Sequence, residues 1–361
     1  MPQFTLHKSR LKWTSDEQDQ WLMTCPQYIA CQTQSLYAQD GTLQLHKVTS
    51  LQLDSEFVIT PGSLPDTITS LTLDSNYNSV IHPLSLPLFL TKLNRGFYFN
   101  KPIVPASLPD SLLELTFGFM YNQPISPYVL PRALLSLTFG FEFNHPIHMA
   151  GVLPPSLTSL KVGECFTNAL LALPQTLVSL EVDNMTQKAV LPPSIKILKV
   201  SFLDQLYTML KSVTGPSMLE HVRLHYIPLS NSSIEKISPS IRIRMLVVRQ
   251  VSYPTKSLSY LDIALEQLAF VMRAVPCAET YGLVHLYLPD QLRVIARRLD
   301  SCTSLYIFKE PYIFDEAIKH IGEIHSSDCR VLFVTTKQHH PSIKKRMSII
   351  VDKLLTFGKR H

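Results

Sequence analysis

His339 and His340 stand side by side, Asp315 and Glu316 form a carboxylate pair, and six cysteines lie scattered at Cys25, Cys31, Cys165, Cys277, Cys302 and Cys329. Each of these residue types could hold a metal or move a proton. Their spacing argues against both. Adjacent histidines in extended backbone point to opposite sides and do not share an ion. Asp315 and Glu316 open an expected helix, where acidic side chains favour the local dipole. No two cysteines have the Cys-x-x-Cys spacing of a zinc or redox motif, so they read as buried free thiols of an intracellular, cytoplasmic protein. The chain has no P-loop, dinucleotide glycine fingerprint, His-Glu-x-x-His or Gly-x-Ser-x-Gly motif. The expectation is no catalytic residue, no cofactor, no metal and no enzymatic activity.

Charge offers a second kind of chemistry. The net charge is +5, yet residues 329–361 hold eight Lys and Arg against Asp352 alone, a local +7 that leaves the rest of the chain at −2. An electrostatic partner is therefore sought at the C-terminus: nucleic acid, an acidic membrane or an acidic protein patch. No aromatic residue interleaves Lys344, Lys345 and Arg346, which weakens the nucleic-acid case, and a soluble end cap is the favoured reading. No membrane span is expected. The first residues lack an apolar core, so no secretory signal is expected.

What would position any functional residue is a repeat. Gly96-Phe97-Tyr98-Phe99-Asn100-Lys101-Pro102-Ile103 returns as Phe117-Gly118-Phe119-Met120-Tyr121-Asn122-Gln123-Pro124-Ile125 and as Phe139-Gly140-Phe141-Glu142-Phe143-Asn144-His145-Pro146-Ile147. Asn78, Asn100, Asn122 and Asn144 are spaced 22 residues apart. A fixed period of this length marks a solenoid. The Phe-Asn-x-Pro-Ile core, with the following Leu-Pro and Leu-x-x-Leu-x-Phe, resembles the FNIP repeat, a leucine-rich-repeat-like unit, over roughly residues 47–203. The resemblance implies a scaffold that binds other proteins and implies no catalytic residues.

Each coil can be anchored on a Leu-Pro pair, from Leu64-Pro65 to Leu191-Pro192. An alternating run follows each, such as Leu71-Thr72-Leu73, Leu115-Thr116-Phe117 or Leu180-Glu181-Val182, and period-two alternation over so few residues predicts a short strand. Proline lacks an amide donor and belongs before the strand. One strand per coil, stacked in register, predicts a parallel sheet. Gly96, Gly118, Gly140 and Gly163 follow the strands, either in a positive-φ turn or with backbone pressed against its neighbour. Tyr77, Phe99, Tyr121 and Phe143, with Phe166 beyond an insertion, would stack as a buried spine. Asn78, Asn100, Asn122 and Asn144 would form a buried, hydrogen-bonded ladder.

Functional information belongs where coils differ. The outward columns run Thr72, Asn94, Thr116, Thr138, Lys161, Glu181, Lys199 and Ser70, Lys92, Glu114, Ser136, Ser159, Ser179, Ile197. Lys92, Glu114, Thr116, Ser136, Thr138, Lys161, Glu181 and Lys199 are the candidate partner-binding residues, because a solenoid binds through its extended sheet. The partner is expected to be a protein of unknown identity.

The fold class expected is α/β: a leucine-rich-repeat-like right-handed solenoid with a parallel β-sheet on one face and helices in the C-terminal coils and at both caps. Residues 1–46 form the N-terminal cap, with a helix opening at Thr14-Ser15-Asp16-Glu17. Trp21 to Tyr37 is faintly similar to the latter half of an F-box, which implies an alternative role as substrate-recognition subunit of a ubiquitin ligase. Residues 47–203 form the repeat solenoid and 204–361 an irregular continuation, opened by a short helix at 203–210. Further on are expected a helix at 265–275, a strand at 283–288, a helix at 290–299, a strand at 304–308, a helix at 314–325, a strand at 330–335 and a basic final helix at 342–357. Strands alternating with helices imply parallel pairing. Whether residues 260–361 extend the sheet or fold separately stays open, with extension favoured by the Leu288-Pro289-Asp290 echo of Leu108-Pro109-Asp110.

Overall fold

The computed structural model describes residues 12–15, 21–24, 49–53, 55, 58–183, 189–211, 213, 217–225, 241–248, 268, 270–284, 293–298, 303–308 and 330–335. The chain divides into two compact units, Met1–Ile195 and Lys196–His361.

In the first unit, β1 (Lys12–Ser15) and β2 (Trp21–Thr24) pair antiparallel, with Ser15 opposite Trp21. The capped helix expected from Thr14 is therefore corrected to a strand pair. Trp13, Thr14, Trp21 and Thr24 are aromatic or β-branched types that suit a pleated ribbon better than a helix.

Seven strands then follow, one per coil: β3 (Ser50–Leu53), β4 (Ser70–Leu73), β5 (Lys92–Asn94), β6 (Glu114–Thr116), β7 (Ser136–Thr138), β8 (Ser159–Val162) and β9 (Ser179–Val182). Each pairs parallel with the next in chain order, so Leu51, Leu71, Leu93, Leu115, Leu137, Leu160 and Leu180 meet across the ladder. These leucines are all buried and their neighbours are half-buried or exposed. The parallel-sheet solenoid is thus what the repeat builds.

A turn precedes each strand. The amides of Ile68, Leu90, Leu112, Leu134, Leu157 and Leu177 donate to the carbonyls of Pro65, Pro87, Pro109, Pro131, Pro154 and Pro174 at 3.1–3.2 Å. The six donors are fully buried. Hydroxyls tie successive turns together: Ser111 donates to the Leu88 and Leu90 carbonyls, Ser156 to those of Arg132 and Leu134, and Thr176 to those of Pro155 and Leu157. A second corner recurs at Gly62, Leu84, Ala106, Tyr128 and Gly151, all with φ between 60° and 82°. Only Gly adopts that region without steric cost.

The second unit holds β10 (Ile197–Val200), α1 (Leu203–Leu210), β11 (Ser217–Leu224), β12 (Ile241–Val248), β13 (Ala278–Val284), β14 (Arg293–Arg298), β15 (Thr303–Phe308) and β16 (Arg330–Thr335). Strands β10 to β13 pair parallel. Strand β14 pairs antiparallel with both β13 and β15, and β15 pairs parallel with β16. The helix expected at 290–299 is therefore a strand, and purely parallel pairing is corrected to a meander from β13 to β15. Val294 and Ile295 are β-branched, and a six-residue run is too short for periodicity to separate strand from helix. The strand expected at 283–288 is placed earlier, in β13.

Helix α1 occupies its expected span and buries Leu203, Leu206, Met209 and Leu210 on one face. Gln205 Oε1 accepts the Ser201 amide at 3.0 Å, and the Tyr207 hydroxyl donates to the Ala274 carbonyl at 2.7 Å. Leu268 and residues 270–274 are helical. The helices expected at 314–325 and 342–357 lie outside the described residues. Among the described residues no helix is long and apolar enough to cross a membrane.

Candidate partner-binding face

Strands β4 to β9 place one outward position, or two, per coil on a common face. On β5 and β6, Lys92 Nζ lies 2.8 Å from Glu114 Oε1, with both side chains about half exposed. On β8 and β9, Lys161 hydrogen-bonds Glu181 and lies 3.3 Å from Asp183. Burial opposes the Lys161 charge, but the Glu181 hydrogen bond and the Asp183 and Glu181 carboxylates outweigh it and raise its pKa. Between these two ion clusters sit Thr116, Ser136 and Thr138, half-buried and neutral. The first unit thus brings together seven of the eight candidate residues. Lys199 lies on β10 of the second unit, half-buried and also outward.

Just past the strands, the backbone closes up. A Cβ built on Gly96 would meet the Asp74 carbonyl oxygen at 1.7 Å, one on Gly118 the Gly96 oxygen at 1.9 Å, and one on Gly140 the Gly118 oxygen at 2.0 Å. Of the two expectations for these glycines, the pressed backbone is the one present. The contact sets each following residue directly over its counterpart one coil away.

Two aromatic rows result. The inner row is Tyr77, Phe99, Tyr121, Phe143 and Phe166, all fully buried. Its ring centroids are 6.0 Å apart from Phe99 to Tyr121 and 6.1 Å from Tyr121 to Phe143 and from Phe143 to Phe166. Phe117 and Phe139 wedge against it, 3.9 Å from Tyr121 and 3.8 Å from Phe143. The outer row is Phe97, Phe119 and Phe141, stacked at 4.8 and 4.6 Å with planes within 8°. Phe97 is 42% exposed and the neighbouring Tyr98 50%. Sequence reasoning singled out the inner row and missed the outer. The recurring Gly-Phe pair at the repeat period was the signal for it.

The asparagines follow. Asn100, Asn122 and Asn144 amides donate to the Oδ1 atoms of Asn78, Asn100 and Asn122 at 2.9, 3.0 and 3.1 Å, and the Thr167 amide donates to Asn144 Oδ1 at 2.9 Å. Asn78, Asn122 and Asn144 are exposed and Asn100 half-buried, which corrects the expected burial. The carboxamide caps a neighbouring coil's amide from the outside; Asn100 Oδ1 also accepts from Gln123 Nε2 at 3.1 Å, and Asn144 Oδ1 from Thr167 Oγ1 at 3.1 Å and Asn168 Nδ2 at 2.8 Å.

On the turn edge, Tyr128, Pro131, Pro154 and Gly151 line a groove of about 490 Å³ with Asp110 and Arg132. Among the described residues no group of three or more His, Cys, Asp or Glu could hold a metal ion. Cys165 is a thiol whose pKa is pushed up by burial and by the Glu142 and Glu164 carboxylates, which makes it a weak nucleophile.

The family model described as FNIP Repeat matches residues 58–98, 77–120, 99–142, 121–165 and 143–184. Among curated proteins nothing matches the chain. A solved structure described as "The crystal structure of CroV588 a novel circular LRR protein structure" is 30% identical to it, with a TM-score of 0.48. That likeness covers 60% of this chain and 32% of that one, so the chain spans about a third of the length of this relative.

Proposed function

Because this chain carries FNIP repeats over residues 58–184, we propose that it is a non-enzymatic scaffold that binds a protein partner through the outward sheet face of its first unit. The observation that supports this reading is the stacked row Phe97, Phe119 and Phe141, in which Phe97 is exposed and the other two are half-buried. Large rings on a surface are the residues that dominate interface energetics. These rings are already immobilised by their stack, so a partner covering them forfeits little side-chain entropy. Thr116, Ser136 and Thr138 can be covered without stripping a charge of water. The Lys92–Glu114 and Lys161–Glu181–Asp183 clusters supply a polar rim. An intracellular, cytoplasmic setting fits the Cys165 thiol, which forms no disulfide. The basic C-terminal run carries a lesser reading, contact with nucleic acid or another acidic surface.

The test is proximity labelling in the native host with the full chain, comparing wild type, Phe119→Ser/Phe141→Ser and Glu114→Ala/Lys161→Glu/Glu181→Lys. Loss of a common set of partners from both variants supports the face, and an unchanged set removes it. The ubiquitin-ligase alternative rests on the Trp21–Tyr37 likeness, and residues 12–15 and 21–24 pair as strands rather than opening a helix. Failure of the full chain to bind the ligase adaptor would eliminate it.

A further inference from the structure

Arg95 stands in a column that is otherwise apolar: Leu73 occupies the position one coil earlier, Phe117 and Phe139 one and two coils later. It is 1% exposed. Its guanidinium carbon lies 4.5 Å from the Phe99 ring centroid and 5.5 Å from that of Phe117. Ring contacts of this kind satisfy the flat face of the cation and leave its edges untouched.

The edges are where the demand is. Nε and Nη2 share one side of the guanidinium and together make a bidentate fork. Neither has a hydrogen-bond partner. The Tyr121 hydroxyl, one coil on, has none either. Among the described residues no carboxylate forms an ion pair with Arg95. Burial lowers its pKa to about 10, which leaves it charged at neutral pH, and the groups acting on it through their fields are the Tyr121 and Tyr77 phenols. A buried cation with an empty fork is among the costliest arrangements in a protein interior.

We propose that the interior of the first unit binds a small monovalent anion, held by the Nε–Nη2 edge of Arg95 and the Tyr121 hydroxyl. One negative charge matches the one guanidinium, and a dianion would leave an uncompensated charge in the core. Chloride and formate share the required chemistry: a compact acceptor for two parallel N–H donors and one O–H donor. Exchange needs local opening of the coils, so the anion acts as a ligand of the folded state alone.

The experiment is thermal unfolding of the full chain from roughly 10 mM to roughly 300 mM sodium chloride, sodium formate or sodium gluconate. In wild type the midpoint should rise by about 4 °C more in chloride or formate than in gluconate, as expected for a site of about 10 mM affinity. Arg95→Leu restores the residue type of the column and should fold with no chloride-specific rise. Tyr121→Phe removes one donor and should show a reduced one. Equal slopes in wild type and Arg95→Leu, or a gluconate response as large as that of chloride, would overturn the proposal. A trapped water in place of the anion gives that same overturning result.

Discussion

In the first unit the coils carry strands of three or four residues, whereas β11 and β12 in the second unit run for eight. A three-residue strand makes too few ladder bonds to hold its neighbour by itself. The first unit is held at its corners instead: pressed glycines, stacked rings and asparagine caps. Strands β11 and β12 of the second unit pair over a much longer ladder. Stability is therefore stored in different atoms in the two regions, and equivalent substitutions should act very differently.

The sharpest contrast is between two glycines. Gly118→Ala drives a methyl to within 1.9 Å of the Gly96 carbonyl oxygen, and the strands on either side must part. It should cost more than about 4 kcal/mol or prevent folding. Gly282→Ala on β13 meets nothing nearer than Val247 Cγ2 at 3.4 Å. It should stay within about 1 kcal/mol. Comparable losses in denaturant titrations would break the comparison.

Next comes the spine. Phe143→Ala removes a fully buried ring that stacks on Tyr121, Phe139 and Phe166, and should destabilise by about 3–5 kcal/mol. A double-mutant cycle with Tyr121→Ala should be non-additive, because the two share neighbours. A smaller effect is expected at the caps. Asn122→Leu loses the acceptor of the Asn144 amide and should cost about 1 kcal/mol, while Thr116→Ala on the outward face should stay within about 0.5 kcal/mol. Indistinguishable melting temperatures for these two would remove the asparagines from the list of corner devices.

The smallest effect is titration. Burial pushes the Tyr121 phenol above its ordinary value, with Arg95 pulling back. The folded-state value exceeds the unfolded one, so this stabilising contribution is complete below about pH 10 and is lost as pH climbs through the folded value. Tyr121→Phe should flatten the fall of stability between about pH 10 and pH 12, seen in chemical denaturation at successive pH values.

Much of the first unit was legible because its period is short and repeated. Leu71, Leu93, Leu115 and Leu137 read inward from alternation alone, and Asn78 to Asn144 read as a ladder from spacing alone. Exposure of the asparagines was not legible, since a side chain that caps a neighbouring backbone has the same period inside or outside the coil. The outer row carries its signal in a Gly-Phe pair that recurs at the repeat period, Gly96-Phe97, Gly118-Phe119 and Gly140-Phe141. Arg95 breaks its column in plain view, but only the fold shows that its Nε–Nη2 edge meets no protein acceptor. In the second unit the matched positions Leu198, Val222, Leu246 and Tyr281 recur 24, 24 and 35 residues apart, so no fixed period marks their column. At Arg293–Arg298 local spacing suited two elements equally, and pairing with β13 and β15 decided between them.

Leu84, Ala106 and Tyr128 share a left-handed corner with Gly62 and Gly151, and Leu84 and Tyr128 are 76% and 77% exposed there. The backbone penalty at that corner, about 1–2 kcal/mol, is already borne by Leu, Ala and Tyr, and is smaller for Asn and Asp and larger for β-branched residues. Once a coil tolerates one such residue, it tolerates most. The rim is therefore a margin on which the array can be re-lettered, turn by turn, while the interior stays unedited.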